Sequence, residues 1–288
     1  MKGLKFFKRK SPVEAALYLF VSIIFMLVAL SYLYIIVWTF IAGFRTHHEI
    51  VVDPFGLPKI WNWRNYIDVF KELEVNGIGF GQMLFNSVYF SVVNPLLCEF
   101  TTIAFAYCCT KYKFPGSKWP YVIILFMITL PLYGTGGASY RIYHALGLVN
   151  SYWQVIASLS GFNVKFLYYH SFFKNLSWTY AEAAIMDGAN DFQIYLKVMF
   201  PQAKPIFWAM FLTSWLSGWN DYQSALIYLR KLPTLAVGIY EFYTQMLYHA
   251  RFDILFAACF IIFVPALILF AAFNKTLTTS VSVGGLKG

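Results

Sequence analysis

Charged residues are scarce in this chain of 288 amino acids. Asp, Glu, Lys and Arg make up 12% of it, whereas an ordinary soluble domain carries about 25%. The deficit excludes a typical soluble protein, and several apolar stretches near 20 residues long indicate a polytopic helical membrane protein. The alternating strands and tight turns that mark a membrane barrel are missing from the pattern.

Cysteine is also rare, and the four present all fall in or beside apolar segments without metal-ligand spacing. We interpret them as small buried hydrophobic residues. The sequence lacks a GxxxxGK[ST] phosphate-binding loop, an HExxH pair and a GxSxG nucleophile. We therefore expect a chain that is not an enzyme, with no catalytic residue, no metal and no cofactor of its own.

The net charge of +9 does not indicate nucleic-acid binding, because the basic residues lie in 1–10 and in short loops, the positive-inside pattern of membrane proteins. The apolar run 15–40 is too long for a signal peptide. Before it, Ser11-Pro12-Val13-Glu14 predicts a helix N-cap, a first-turn proline and a capping-box glutamate. The first segment is therefore predicted to be a retained span in a lipid bilayer.

Apolar runs predict an all-α protein with six transmembrane helices. The predicted spans are 15–43, 82–109, 118–135, 152–173, 205–229 and 253–274. We expect one transmembrane domain over 15–274, an N-terminal segment 1–14 and a C-terminal tail 275–288.

Six spans place both termini on one side of the membrane, and the basic N-terminus makes that side the cytoplasm. The cytoplasmic segments then hold thirteen Lys and Arg against four acids, and the outer loops hold eight against seven. This asymmetry supports the orientation. It also makes the loop at about 174–204 cytoplasmic.

That loop contains AEAAIMDGANDFQIYLKVMFP, in which three carboxylates lie within ten residues. The pattern predicts a short helix that ends at Asp187-Gly188, followed by a second helix that Asp191 caps and Pro201 ends. Small alanines would let another protein approach the backbone, with Glu182 as an orienting charge, which suits docking into a groove. An ordinary amphipathic interfacial helix is the alternative, and these features leave both open.

The same residues carry a family resemblance. Glu182-Ala183-Ala184, Asp187-Gly188-Ala189 and Pro201 resemble the EAA loop of binding-protein-dependent ABC importer permeases, with Phe200 where Leu is usual. Further segments are similar to carbohydrate permeases of that family and occur in the same order. They are NSVYFSVVNPLLCEFTTIAFAYCCTKYKFPGSK, YHALGLVNSYW, WNDY, TLAVGIYEF with Ala236 where Pro is usual, and the terminal GGLKG.

The resemblance, which covers roughly 80–288, implies a type I ABC importer fold and a cytoplasmic coupling helix. It implies a permease for a carbohydrate, with an oligosaccharide favoured, in a bacterial or archaeal cytoplasmic membrane. The implied partners are a second, different permease subunit, two nucleotide-binding subunits that hold ATP and Mg, and an extracytoplasmic binding protein. The implied coupling residues are Glu182, Ala183, Ala184, Asp187, Gly188 and Pro201.

Ionisable residues inside spans are costly and usually face a cavity or a partner. Trp219, Asn220, Asp221 and Gln223 form a polar cluster toward the outer part of the fifth span and could line the substrate pathway or bind neighbouring helices. Glu99 could contact substrate or pair internally with Lys165. These residues leave both alternatives open.

Two other classes remain as alternatives. An importer for amino acids or polyamines would share the coupling loop, but WNDY and the GGLKG tail argue against it. An ion-coupled secondary carrier could use Glu99 and Asp221 as ion sites. Such carriers commonly have inverted repeats and broken helices, and the sequence predicts neither.

Overall fold

A computed structural model of the chain describes residues 11–130, 136–245 and 251–284. The helical elements and a short antiparallel hairpin follow in this order: α1 Pro12–Ala42, α2 His47–Val52, α3 Arg64–Glu72, β1 Glu74–Val75, β2 Ile78–Gly79, α4 Phe80–Lys111, α5 Trp119–Thr129, α6 Gly136–Ala145, a 3₁₀ helix Tyr152–Ser158, α7 Lys165–Asn175, α8 Thr179–Met186, α9 Asp191–Gln193, a π-helical segment Ile194–Met199, α10 Phe200–Trp219, α11 Tyr222–Tyr228, α12 Leu235–Gln245 and α13 Phe252–Gly284. The prediction of a helical fold is confirmed.

Three helices among the described residues are long and apolar enough to cross a membrane: Val13–Ala42, Phe80–Lys111 and Phe252–Phe273. They correspond to the first, second and sixth predicted spans. The third predicted span begins as α5, but its end at 131–135 lies outside the described residues. The number of six spans stays a prediction.

The fourth predicted span is wrong as a single helix. Its residues form the 3₁₀ helix, an irregular segment at 159–164 and then α7. Gly161 sits so close to α4 that a Cβ there would lie 2.7 Å from the Phe105 ring. The Asn163 amide donates to Thr102 Oγ1 at 2.7 Å and its oxygen accepts from the Lys165 N–H at 2.9 Å. These contacts satisfy polar groups that a helix break would otherwise leave bare in an apolar region.

The fifth predicted span differs at both ends. α10 already begins at Phe200, and it ends at Trp219 instead of continuing to 229. Asp221 has extended backbone angles and caps α11, accepting from the Ser224 N–H at 2.9 Å. Because this carboxylate competes for the backbone N–H groups, a new helix starts where the sequence predicted one long span.

The chain divides into two compact units, which are Met1–Glu72 with Tyr243–Phe263, and Leu73–Phe242 with Val264–Gly288. A single permease domain over 15–274 stays a prediction.

In the first unit, the predicted capping box of Ser11 and Glu14 is present at the start of α1. The loop after α1 is organised by Arg45, which is 2% exposed and donates to the Pro54 carbonyl oxygen at 3.1 Å. The Thr46 N–H donates to Glu49 at 3.0 Å, and this bond holds the pKa of the Glu49 carboxyl below its usual value. The loop after α1 is therefore ordered by side-chain hydrogen bonds to its backbone.

In the second unit, α4 packs against α7 and α10. The core is mainly aromatic and includes Tyr107, Phe166, Phe173 and Phe207, each at most 2% exposed. Between helices of a membrane protein, such side chains stabilise the packing through van der Waals contacts. The resulting three-helix packing holds the residues of the site described next.

Candidate functional site

The predicted coupling segment begins with α8, which ends at the expected place. Its C-cap is Asp187, and Gly188 follows with φ = +80°. Glycine adopts this left-handed conformation without the penalty that a Cβ imposes. The predicted helix end at Asp187-Gly188 is confirmed.

The start of the second helix was predicted one residue too late. Asn190, and not Asp191, is the N-cap, and its side chain forms a capping box with Gln193. Asp191 instead accepts a hydrogen bond from the Tyr112 hydroxyl at 3.0 Å. Burial, together with hydrogen bonds to Tyr107 and Asp191, raises the pKa of Tyr112.

The prediction that Pro201 ends this helix is wrong. The chain continues from α9 through the π-helical segment into α10, and the Phe200 N–H donates to the Tyr195 carbonyl. Proline has no N–H and its ring clashes with the carbonyl four residues earlier. The wider π turn, placed directly before Pro201, removes that conflict and lets the proline occupy the first turn of α10.

The coupling segment presents an apolar surface that the sequence analysis did not single out. Glu182 and Ala183 are exposed and Ala184 is half-buried. Beside them, the side chains of Ile185, Met186 and Phe192 are 51%, 89% and 68% exposed. We call these three residues the apolar rim of the coupling segment. Their position around the turn at Gly188 could have been found from the turn prediction alone.

The second unit also contains a cavity of about 610 Å³. It is bounded by α4, the 3₁₀ helix with the irregular segment 159–164, the end of α10, and α11. Its charged lining residues, among those described, are Lys165 and Asp221. Uncharged polar side chains complete much of the remaining wall: Asn94, Gln154, Ser158, Asn163, Thr213, Ser214, Ser217, Ser224 and Thr234.

Glu99 lies behind the cavity wall and is 0% exposed. It forms an ion pair with Lys165 and accepts hydrogen bonds from the Tyr169 hydroxyl at 2.6 Å and from Ser214 Oγ at 2.7 Å. Of the two interpretations that the sequence left open, the structure has the internal ion pair. Lys165 reaches the cavity and Glu99 neutralises it.

Only Asp221 of the predicted WNDY-region cluster is among the described residues that line the cavity. Trp219 is 4% exposed and stacks on Trp215, with ring centroids 5.2 Å apart. The Asn220 amide donates to the Leu216 carbonyl at 2.8 Å and so caps α10. Gln223 is exposed and lies outside the cavity lining, whereas its neighbour Ser224 belongs to it. These three side chains therefore do not contribute to the described cavity wall.

Gln154 is a cavity residue that the sequence analysis missed. Its Oε1 atom is buried and has no hydrogen-bond partner within the described part of the chain. It is positioned by the 3₁₀ helix, whose Ser158 donates to Asn94 of α4 at 2.9 Å. No sequence pattern identifies such a residue, because the cavity exists only when α4 and the 3₁₀ helix pack together.

A helical membrane protein with a polar cavity and an exposed helix that ends in a glycine turn is the class that this fold and site define. The chain belongs to the family described as the binding-protein-dependent transport system inner membrane component, which it matches over residues 102–283.

Relatives and a solved structure agree with this membership. The chain is 28% identical over 251 residues to the diacetylchitobiose uptake system permease protein NgcG of Streptomyces coelicolor, covering 86% of this chain and 82% of that protein. It is 26% identical over 285 residues to the arabinooligosaccharides transport system permease protein AraQ of Bacillus subtilis, covering 97% and 99%.

The fold is similar to that of a bacterial ABC transporter involved in the import of the acidic polysaccharide alginate. The TM-score is 0.76 at 22% identity, and the match covers 92% of this chain and 98% of that one. At this identity the likeness concerns the fold.

Proposed function

We propose that this chain is one permease subunit of an ATP-driven importer for an oligosaccharide. The family membership and the names of the relatives, which are permeases for diacetylchitobiose and arabinooligosaccharides, support the proposal. A second, different permease would complete the pathway, and an extracytoplasmic binding protein would deliver the sugar. Two nucleotide-binding subunits would bind ATP and Mg, since this sequence has no phosphate-binding loop of its own.

The observation that carries the proposal is the direct connection between cavity and coupling segment. Lys165 lines the cavity and is the first residue of α7. Three residues separate the end of α7 from the start of α8. α7 has eleven residues, a length of about 16 Å. Lys111 of α4 donates to the Leu176 carbonyl at 2.5 Å and so fixes the junction. A displacement of α8 by an ATPase would thus be passed to the cavity wall through one short helix.

In this proposal Glu182, Ala183, Ala184, Asp187, Gly188 and the apolar rim form the docking surface. An interfacial helix lying on the lipid surface is the competing interpretation of the same residues. An exposed rim on a short, tightly turned helix favours a protein groove, because Glu182 and Asp187 are exposed on the same segment and would be unfavourable beside acyl chains.

A secondary carrier is the other functional class to be tested. The lack of broken helices no longer argues against it, because the chain is interrupted at 159–164 and at 220–221. The family membership favours the importer. The sugar names of the relatives also favour a carbohydrate over a non-sugar substrate.

The energy source distinguishes an ATP-driven importer from an ion-coupled secondary carrier. We expect the subunit, purified with its co-eluting proteins, to bring down a second permease and an ATPase. Proteoliposomes containing the complex and a binding protein should accumulate labelled oligosaccharide with ATP but not with ADP. Collapsing the ion gradients should leave this uptake unchanged. Uptake that follows an ion gradient without ATP would contradict the proposal.

The proposed orientation places both termini and α8 in the cytoplasm. Cysteines introduced at Trp61 or Gln245, in a variant without native cysteines, should react with a membrane-impermeant maleimide added to sealed cells. In cells that lack the ATPase partner, a cysteine at Met186, which is 89% exposed, should react only after the membrane is opened. Its reaction in sealed cells would reverse the assigned topology.

A further inference from the structure

The charges in the cavity wall do not balance. Lys165 is paired with the buried Glu99, so this pair adds no net charge. Asp221 remains, and within the described residues it accepts a hydrogen bond from the Ser224 N–H at 2.9 Å. The dipole of the seven-residue α11 offsets a part of this charge. The described wall therefore has a net negative potential.

Two hydrogen-bond acceptors of the wall also favour a ligand that can donate hydrogen bonds. Gln154 Oε1 is a buried acceptor without a partner in the described part of the chain, and Asp221 is an acceptor when ionised. A buried acceptor that lacks a donor costs stability unless a ligand supplies one. A sugar hydroxyl or an amide N–H can donate to these atoms, whereas an ionised carboxylate cannot.

We infer that the cavity takes an uncharged, hydroxyl-rich saccharide and rejects uronates, with Gln154 and Asp221 as the acceptors that recognise the ligand. The inference rests on the proposed function, since it names the substrate class of the same cavity. The inferred ligand differs in charge from the cargo of the structural neighbour, which is an acidic polysaccharide, although the two proteins share a fold.

The sign of the potential is measured on the assembled transporter. The four native cysteines are replaced by serine, and Ser217, which lines the cavity and is exposed, is changed to cysteine. Two methanethiosulfonates are compared, one with a trimethylammonium group and one with a sulfonate group, and the rate of each with this cysteine is divided by its rate with a free thiol in solution. The ratio should be at least about tenfold higher for the trimethylammonium reagent. Asp221→Asn should remove most of this preference. Glu74→Gln, which changes an exposed acid outside the cavity, should leave this preference intact.

The ligand class is measured by protection of the same cysteine, without binding protein. The probes are matched in linkage and length: β-1,4-mannotetraose and the mannuronate tetrasaccharide, and galactotetraose and tetragalacturonate. We expect at least one neutral probe to protect at a concentration about tenfold lower than its acidic counterpart. Gln154→Leu should raise the protecting concentration of that probe by on the order of tenfold. The matched control Gln223→Leu, at an exposed glutamine outside the cavity lining, should not.

The outcomes of these experiments test the ligand class and the proposed function separately. Equal or faster reaction of the sulfonate reagent, or protection by uronates as good as by neutral sugars, would overturn the inference while leaving a carbohydrate importer in place. Failure of every saccharide to protect, combined with no ATP-dependent sugar uptake, would count against the proposed function itself. The reagent preference would then still decide the sign of the cavity charge.

Discussion

Lys165→Met is expected to be the most destabilising single change in the cavity wall. It leaves the Glu99 carboxylate, which is 0% exposed, with hydrogen bonds from Tyr169 and Ser214 but without its cation. Removing one partner of a buried ion pair costs about 3–5 kcal/mol, because the remaining charge stays desolvated. We expect a fall in the apparent melting temperature of the purified subunit of roughly 10 °C.

Removal of the acid of this pair, by Glu99→Gln, should destabilise the subunit less than Lys165→Met. The Lys165 side chain is 25% exposed and lines the cavity, so after Glu99→Gln its ammonium can still reach water. The double variant Glu99→Gln/Lys165→Met should be more stable than Lys165→Met alone, since no buried charge is left. Thermal unfolding of the three variants, followed by size-exclusion chromatography, gives the order.

Lys204→Met is the matched control, because it makes the same substitution at an exposed lysine. It should unfold at the same temperature as the protein without substitutions. If Lys165→Met unfolds at the same temperature as this control, the ion pair is not a structural element and Lys165 acts only on the ligand.

Changes in the coupling segment should abolish uptake while leaving the subunit in the membrane. Gly188 has φ = +80°, and no heavy atom lies within 4 Å of a Cβ built there. Gly188→Val therefore meets no clash within this chain and costs about 1–2 kcal/mol of backbone strain. The remaining effect falls on the partner, whose groove would have to accommodate the added side chain.

Glu182→Lys should act through charge at the same surface. Burial of a basic residue of the ATPase without its counterion would cost several kcal/mol, so association of the ATPase should weaken at least roughly tenfold. Both variants are measured by membrane yield, by co-purification of the ATPase and by ATP-dependent sugar uptake.

Gly188→Asn is the matched control, because asparagine tolerates the left-handed region better than valine. It should retain a measurable part of the uptake. An importer that carries Gly188→Val and Glu182→Lys together and still accumulates sugar at the normal rate would rule out the coupling assignment.

The sequence was sufficient for two features that residues a few positions apart decide. The capping box at Ser11 and the helix end at Asp187-Gly188 were predicted correctly, whereas the equally local N-cap at Asn190 was missed by one residue. The family resemblance, carried by the EAA loop and the motifs around it, led to the transporter class that the family match supports.

The sequence was insufficient where a distant contact decides. The residues at 159–164 include the Ser160-Gly161 pair, which is a turn signal, but the length of the apolar run favoured one span, and the break is fixed by contacts with Phe105 and Thr102 of α4. The residues around Asp221 were predicted to form one polar cluster, but only Asp221 of that cluster lines the described cavity wall. Gln154 becomes a candidate only through the packing of two elements that are far apart in sequence.

The π turn before Pro201 sets the rotational phase between the coupling segment and the cavity. In an α-helix each residue advances about 100°, so the extra residue held in Ile194–Met199 determines which side of the helix axis Phe192 occupies relative to Ser214 and Ser217. Loss of a single residue here would restore ordinary α-helical turns and bring back the conflict between the Pro201 ring and the carbonyl four residues earlier. It would also turn the docking surface by more than a quarter of a circle against the cavity wall, so the length of this segment is constrained even where its side chains are not.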